Sequence, residues 1–360
     1  MNSNVSWKIP FNNLAPAISE ERKDIDEAIK RVLDSGVFIN GSEVYNFSNE
    51  LSKYTGVQYV IPCANGTDAL MLALLAYRDI PRHVNRFGND VYTVANSAPA
   101  TVAAIRRAGF YPRFLDINTS GLISYHNHKD NTSEYPEIHL PVNLYGQVKL
   151  YRKRPNEIII EDGAQALGNY NFCRSEADVW TTSFYPTKNL GALGDGGAVL
   201  TNDQKVADKI RLLTNYGLDP DKFMIIEHGF NSRLDEIQAA ILRVRLKNLD
   251  THCNERRSLA KMYDLVLDPF VKHREYNMDE NYHLYTILVK DDKRTALQKY
   301  LHEQGIQTAI HYVKSVDHGL GENSNTEYFQ KSVLSLPLWP GMKRAEVAYV
   351  AGSVNDFLYA

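Results

Sequence analysis

Apolar residues recur at helical spacing over residues 20–33, where Ile25, Ala28, Ile29, Val32 and Leu33 share one side, and Ser35-Gly36 supplies a stop. Residues 58–62 read as a short strand, followed by a turn and a helix over 68–77. Further short apolar segments at 111–115, 138–144 and 157–160 predict strands. The last, Glu157-Ile158-Ile159-Ile160, is apolar without alternation, the pattern of a strand covered on both faces in a parallel sheet. Residues 231–249 predict a second long helix, with Leu234, Ile237, Ile241, Leu242 and Leu246 on one side. After Thr251 the pattern changes to a helix at 256–267, a strand at 283–289, a helix at 294–304 and a strand at 308–312. The expected organisation is a large, mostly parallel α/β domain over residues 1–250, which includes an N-terminal segment, and a small C-terminal α+β domain over 251–360.

Charge and composition narrow the function classes. The 360 residues carry 40 basic and 43 acidic side chains, a net charge of −3, and 44% are hydrophobic. That balance offers no basic face for nucleic acid and no attraction to an acidic membrane surface. The longest strongly apolar run, 69–77, falls short of the roughly 18 residues of a membrane span. The first ten residues lack a basic region followed by an apolar core, so no secretion signal is expected. Cys63, Cys173 and Cys253 are too few and too scattered for a disulfide framework, and a reducing cytoplasm is the simplest home. His126 and His128 sit in a polar stretch with no further ligands nearby, so a loop is expected there and no metal site.

Three segments carry candidate chemistry. Residues 64–70, Ala-Asn-Gly-Thr-Asp-Ala-Leu, end a strand, turn on a glycine and start a helix, whose free amides suit a phosphate. The same residues also read as ordinary capping by Thr67, with Asp68 in the first turn. At 159–166 a buried strand delivers Asp162 to its carboxyl end, the edge where open α/β sheets bind ligands; capping of a following helix is the plainer reading. At 182–200, Lys188 lies between an aromatic-proline turn and Gly191, Gly194, Gly196 and Gly197. A confined lysine of this kind is a nucleophile for an aldehyde, though a surface lysine beside a glycine hairpin has the same sequence. The glycine order fits neither G-x-G-x-x-G nor a P-loop. A phosphate cradle, a strand-end carboxylate and a reactive lysine are together what pyridoxal phosphate needs.

The sequence resembles the DegT/DnrJ/EryC1/StrS sugar aminotransferases at 65–70, 161–168, 183–201, 215–217, 229–240 and 334–338. The likeness runs from about residue 9 to the C-terminus. It implies the fold type I architecture of pyridoxal 5'-phosphate-dependent aminotransferases. It implies that Lys188 bonds covalently to the cofactor, that Asp162 pairs with the pyridine nitrogen, and that Gln165 lies near the phenolic oxygen. Gly66, Thr67, Asp68 and Ser183 match the phosphate site. Asn231 matches a residue that reaches the cofactor of a neighbouring subunit, which implies a homodimer with shared sites. Tyr185, His311 and Tyr312 match the substrate cleft. Two positions depart from the family: Ala98 replaces a ring-stacking aromatic, and Asn143 stands where histidine is frequent. The implied reaction moves an amino group from glutamate to a dTDP-linked 4-keto-6-deoxyhexose, for surface-polysaccharide or O-antigen sugars, with pyridoxamine phosphate as the aminated cofactor form. A 3-keto sugar is the alternative, followed by an aromatic amino acid (aminohydroxybenzoate-type) synthase and a non-catalytic cofactor-binding sensor. Lys188 argues against the sugar dehydratases of the family, which carry histidine there.

Overall fold

The first helix, α1 (Ala15–Ser35), stops where Gly36 takes a left-handed φ of 66° and returns its N–H to Leu33. Its buried stripe, Ile25, Ala28 and Val32, packs against Ala240, Ile241 and Val244. This computed structural model describes residues 7–78, 89–125, 136–219, 221, 223–271, 275–290, 292–313, 319–320 and 324–359. The His126/His128 pair lies outside the described residues.

The next helix, α2 (Ser42–Thr55), has no local side-chain cap. Glu236, from almost two hundred residues away, takes that part. Its carboxylate accepts N–H groups of Gly41, Glu43 and Val44, each at 2.9 Å. Glu236 is buried, so removing it leaves three donors without an acceptor. Glu236→Ala is expected to destabilise the fold by about 3 kcal/mol. A denaturant midpoint unchanged from the parent would contradict that role.

The sheet is built from β1 (Tyr59–Cys63), β2 (Asp90–Val94), β3 (Tyr111–Leu115), β4 (Glu137–His139), β5 (Glu157–Asp162), β6 (Val179–Ser183) and β7 (Gly197–Thr201). Their spatial order is β1-β7-β6-β5-β4-β2-β3. β7 runs antiparallel to both neighbours, and the remaining pairs are parallel. β5 is buried along its whole length between β4 and β6, as its unbroken apolar run requires. The strand expected over 138–144 shortens to β4. Pro141 has no N–H to donate, and beyond it only a single bridge to the end of β5 remains, with Asn143 N–H donating to Asp162 O and Asp162 N–H to Pro141 O. Helices α3 (Gly66–Ala76), α4 (Pro99–Arg107) and α5 (Gln204–Leu213) complete this part of the chain.

The two helices expected on either side of residue 250 are one, α6 (Glu236–Val266), 31 residues long. Its first half packs into the large core through Ala239, Leu242, Leu249 and Cys253. Its last turns enter a second core through Leu259, Ala260 and Tyr263. That core also holds β8 (Tyr285–Leu288), α7 (Arg294–Glu303), β9 (Val333–Leu336) and α9 (Arg344–Tyr359), and it takes in Ile9 from near the N-terminus. β8 pairs antiparallel with β9, and α8 (Asn325–Ser332) leads directly into β9. The strand expected at 308–312 forms only a single bridge, Ala309 to Ser335. Among the described residues no helix is long and apolar enough to cross a membrane, and no cluster of metal-ligating side chains is present.

One edge of the large sheet gathers the ends that matter. Cys63 at the end of β1 and Ser183 at the end of β6 both face Gly197, the first residue of β7. Asp162 ends β5, and α3 starts three residues after β1.

Candidate active site

At the start of α3 the cap is Asn65, whose side-chain oxygen accepts Asp68 N–H at 2.8 Å, rather than Thr67. The Thr67 hydroxyl and the N–H groups of Gly66 and Thr67 have no protein partner among the described residues. Two glycines let the strands close on this turn. A Cβ on Gly66 would lie 2.6 Å from Ser183 Cβ, and one on Gly197 would lie 2.4 Å from Asn65 O. Asp68 is anchored by the Ser232 hydroxyl at 2.7 Å. The turn opens onto a cavity of about 460 Å³, whose walls include Gly66, Thr67, Asp68, Asp162, Gln165, Ser183, Tyr185, Lys188 and Tyr312.

Asp162 is buried. Burial pushes its carboxyl pKa up, against the Ala164 N–H at 3.1 Å, the Thr101 hydroxyl at 3.0 Å and the charge of Lys188. The bond to Ala164 is what a capping Asp would make, but no helix follows. Ser97 bonds Thr101 at 2.6 Å, so two hydroxyls in series hold the carboxylate. Lys188 faces the same cavity. Loss of solvation brings its amine down from the ordinary 10.5 to about 8, with the Asp162 charge acting in the opposite direction. Its backbone is fixed on both sides. Lys188 N–H donates to Tyr185 O at 2.8 Å, and the neighbouring Asn189 side chain bonds Asn281 O at 3.0 Å and His283 Nδ1 at 3.2 Å.

These contacts answer the open readings of the sequence. The lysine is a cavity residue, not a surface one, and it shares that cavity with the strand-end carboxylate and the uncommitted helix start. Tyr185 is 53% exposed and stands at the mouth. Tyr312 lines the wall, but His311 does not. The His311 ring bonds Ser335 Oγ at 2.8 Å and stacks on Phe11. Burial first, and then Lys188, hold its imidazole near 4, so it is neutral. Asn231 is exposed and lies outside this cavity, bridged by backbone to Asn215. Ala98, at the N-cap of α4, contributes only a methyl group to the wall. Asn143 is part of the cavity wall, and its amide is engaged within the protein, donating to Glu161 at 2.9 Å while its oxygen accepts Lys149 N–H at 3.3 Å.

Ser97, Thr101, Asn189 and His283 were not found by reading the sequence. Pro99 offered the one local signal, since proline is favoured in the first turn of a helix and would have placed Thr101 in α4 beside the sheet edge. Nothing local marks His283, which is more than ninety residues from Asn189.

The free amides and two hydroxyls suit a phosphate, and the distance-fixed carboxylate and partly neutral amine suit a cationic ring nitrogen and an aldehyde. The donor set therefore fits pyridoxal phosphate. Comparison with known proteins agrees. The model of the DegT/DnrJ/EryC1/StrS aminotransferase family matches residues 19–355. A dTDP-3-amino-3,6-dideoxy-alpha-D-galactopyranose transaminase of Aneurinibacillus thermoaerophilus is 39% identical, covering 98% of this chain and all of its own length (100%). A pleiotropic regulatory protein of Geobacillus stearothermophilus is 36% identical over 97% of this chain and 98% of its own. The solved structure of NtdA from Bacillus subtilis with bound cofactor PMP has a TM-score of 0.87 at 29% identity, covering 100% of this chain and 87% of that one.

Proposed function

Since the chain belongs to the DegT/DnrJ/EryC1/StrS aminotransferase family and is a pyridoxal phosphate-dependent sugar aminotransferase, we propose that it moves an amino group from glutamate to a nucleotide-linked 3-keto-6-deoxyhexose. The observation that carries the amino-transfer reading is the convergence of Lys188, Asp162 and the free first turn of α3 on one cavity. The preference for a 3-keto over a 4-keto sugar is supported by the relative from A. thermoaerophilus, whose name specifies a 3-amino sugar at 39% identity.

Bound pyridoxal phosphate supplies an aldehyde carbon that accepts amines and a ring that withdraws electrons from it. In our reading the Gly66 and Thr67 amides and the Thr67 and Ser183 hydroxyls hold the phosphate. The Asp162 carboxylate, fixed in place by Ser97 and Thr101, would pair with the ring nitrogen and keep it protonated. Lys188 has two tasks. Its amine would anchor the cofactor covalently, and when free it would act as base and then acid in moving a proton. Tyr185 at the mouth is suited to contact with the sugar. Asn231 is suited to the cofactor phosphate of a second copy. That assignment makes the protein a homodimer. It accords with the exposed apolar residues on the two nearby loops: Val37, Phe38 and Ile39 on one, and Tyr216, Phe223, Met224 and Ile225 on the other.

The depressed pKa of Lys188 gives a pH dependence with a definite sign. Only the neutral amine attacks a carbonyl. Loading of apo-protein with pyridoxal phosphate should accelerate about tenfold per pH unit below 8 and level off above it. A rate still climbing at the ordinary lysine value would show that the amine is not held in this environment.

The substrate is tested by supplying glutamate with purified dTDP-linked 3-keto and 4-keto 6-deoxyhexoses and weighing the products by mass spectrometry. Amine formed on the 3-keto sugar is the expected result. Amine formed only on the 4-keto sugar overturns the positional preference. Amine on neither overturns the reading for dTDP-linked 6-deoxyhexoses.

A further inference from the structure

The amine of Lys188 makes no hydrogen bond of its own among the described residues, so its place in the cavity is set by the turn that carries it. Asn189, the next residue, is where that turn meets the second core. Its Nδ2 donates to Asn281 O at 3.0 Å and reaches Cys253 Sγ at 3.5 Å. A carbonyl oxygen only accepts, so this end of the amide is the NH₂ group. The other end, Oδ1, therefore faces His283 Nδ1 at 3.2 Å. An amide oxygen also only accepts, so the hydrogen between the two sits on Nδ1, and the tautomer of His283 is fixed.

The ring is buried and neutral. Loss of solvation comes first, then Lys188, Arg256 and His311. Each disfavours a second ring proton and holds the imidazole well below the usual histidine value. His283 is thus a directional donor and not a charge.

Its segment is wedged between the two turns that bear Asp162 and Lys188. Asn281 Oδ1 accepts His283 N–H at 2.9 Å, and Asn281 Nδ2 donates to Gln165 O at 3.0 Å and Leu167 O at 2.8 Å, just beyond Asp162. The fit is close. A Cβ on Gly146 would lie 2.2 Å from Asn281 Oδ1 and 2.8 Å from His283 N. Tyr282, between them, is anchored in the second core. Farther along, the glycine run has separate supports from α6: Arg245 donates to Gly191 O, and Gln238 Oε1 accepts Leu193 N–H at 2.9 Å. Among the described residues, the donor to Asn189 Oδ1 is His283.

We propose that His283 is a positioning residue for the amino transfer: its Nδ1–H holds Asn189, and through it the turn that presents the Lys188 amine to the cavity. This rests on Lys188 being the reacting amine, as read above, and adds a residue outside the cavity wall on which the aim of that amine depends. Without the donor, the Asn189 amide is free to turn away from Asn281 O. A displacement of about 1 Å at a reacting group lowers its rate by roughly a hundredfold.

His283→Leu keeps a side chain of similar reach and removes the donor. The expected result is a folded holoenzyme with its visible cofactor band, kcat of the glutamate half-reaction lower by roughly ten- to a hundredfold, and KM for glutamate within about twofold of the parent. His283→Asn offers an N–H close to the place of Nδ1 and should recover most of the loss. Parent-like kcat in His283→Leu, a loss confined to KM, or a His283→Asn variant as slow as His283→Leu overturns the positioning role, while the function stands. A second measurement needs no variant. Heteronuclear NMR of the histidine-labelled parent holoenzyme, with the His283 ring identified by its contact with the Asn189 side-chain amide, should show a neutral ring protonated on Nδ1 from about pH 6 to 8. A proton on Nε2, or a ring that titrates in that range, overturns the role. A parent without a cofactor band, or undiminished turnover in Lys188→Ala, would overturn the function and the positioning role together.

Discussion

Lys188→Ala should leave a folded protein with no covalently held cofactor and turnover lower by about four orders of magnitude or more. The size follows from the two tasks of the amine. Proton transfer by a positioned group alone contributes roughly 10²–10⁴-fold, and here the same group is also the anchor. The fold should survive, because among the described residues the side-chain amine of Lys188 makes no hydrogen bond or ion pair that supports the scaffold. The turn is kept by its backbone bond to Tyr185 and by Asn189. Absorbance of the purified variant and single-turnover assay with glutamate measure both effects. Turnover within tenfold of the parent would remove Lys188 from the chemistry.

Asp162→Asn is the second large effect. The substitution keeps the size of the side chain and its oxygen for Ala164, so the fold and cofactor loading should persist. What disappears is the negative charge facing the ring nitrogen. Losing one preorganised electrostatic partner of the reacting group costs roughly 10²–10³-fold in rate. We expect kcat to fall by that factor in both half-reactions, with KM for either substrate little changed. A loss confined to KM would place Asp162 in binding and not in electron withdrawal. The contrast with Lys188→Ala is itself informative, since one variant loses the covalent link and the other retains it.

The parts of this site that lay open in the sequence are those whose chemistry sits beside local punctuation. Asn65-Gly66-Thr67, Asp162-Gly163 and Lys188 with its glycines each combine a strand end, a turn and a functional group within a few residues. Strand β5 was legible because burial on both faces leaves no polar alternation. The missed features depend on partners far along the chain. Helix α2 lacks a cap of its own and borrows Glu236. Thr101 becomes a contact of Asp162 only when α4 settles beside β5.

The gap expected between the helices at 231–249 and 256–267, which α6 closes, has a similar origin. Residues 250–257, Asp-Thr-His-Cys-Asn-Glu-Arg-Arg, look like a polar helix end. In the fold, His252, Arg256 and Arg257 are buried. Arg256 donates to the carbonyls of Tyr282, His283 and Leu338, and Arg257 to those of Gly168 and Glu280. Polar side chains that satisfy loop carbonyls count as interior, which a reading based on apolar spacing does not register.

Helix α6 also dictates where this polypeptide tolerates division. At about 1.5 Å per residue it is a rod of roughly 46 Å. Severing it at residue 250 would split the rod mid-length and part Arg257 from Gly168. Split-gene reporters and complementing fragments should instead be joined beyond Val266, where the rod stops and each half keeps an intact end.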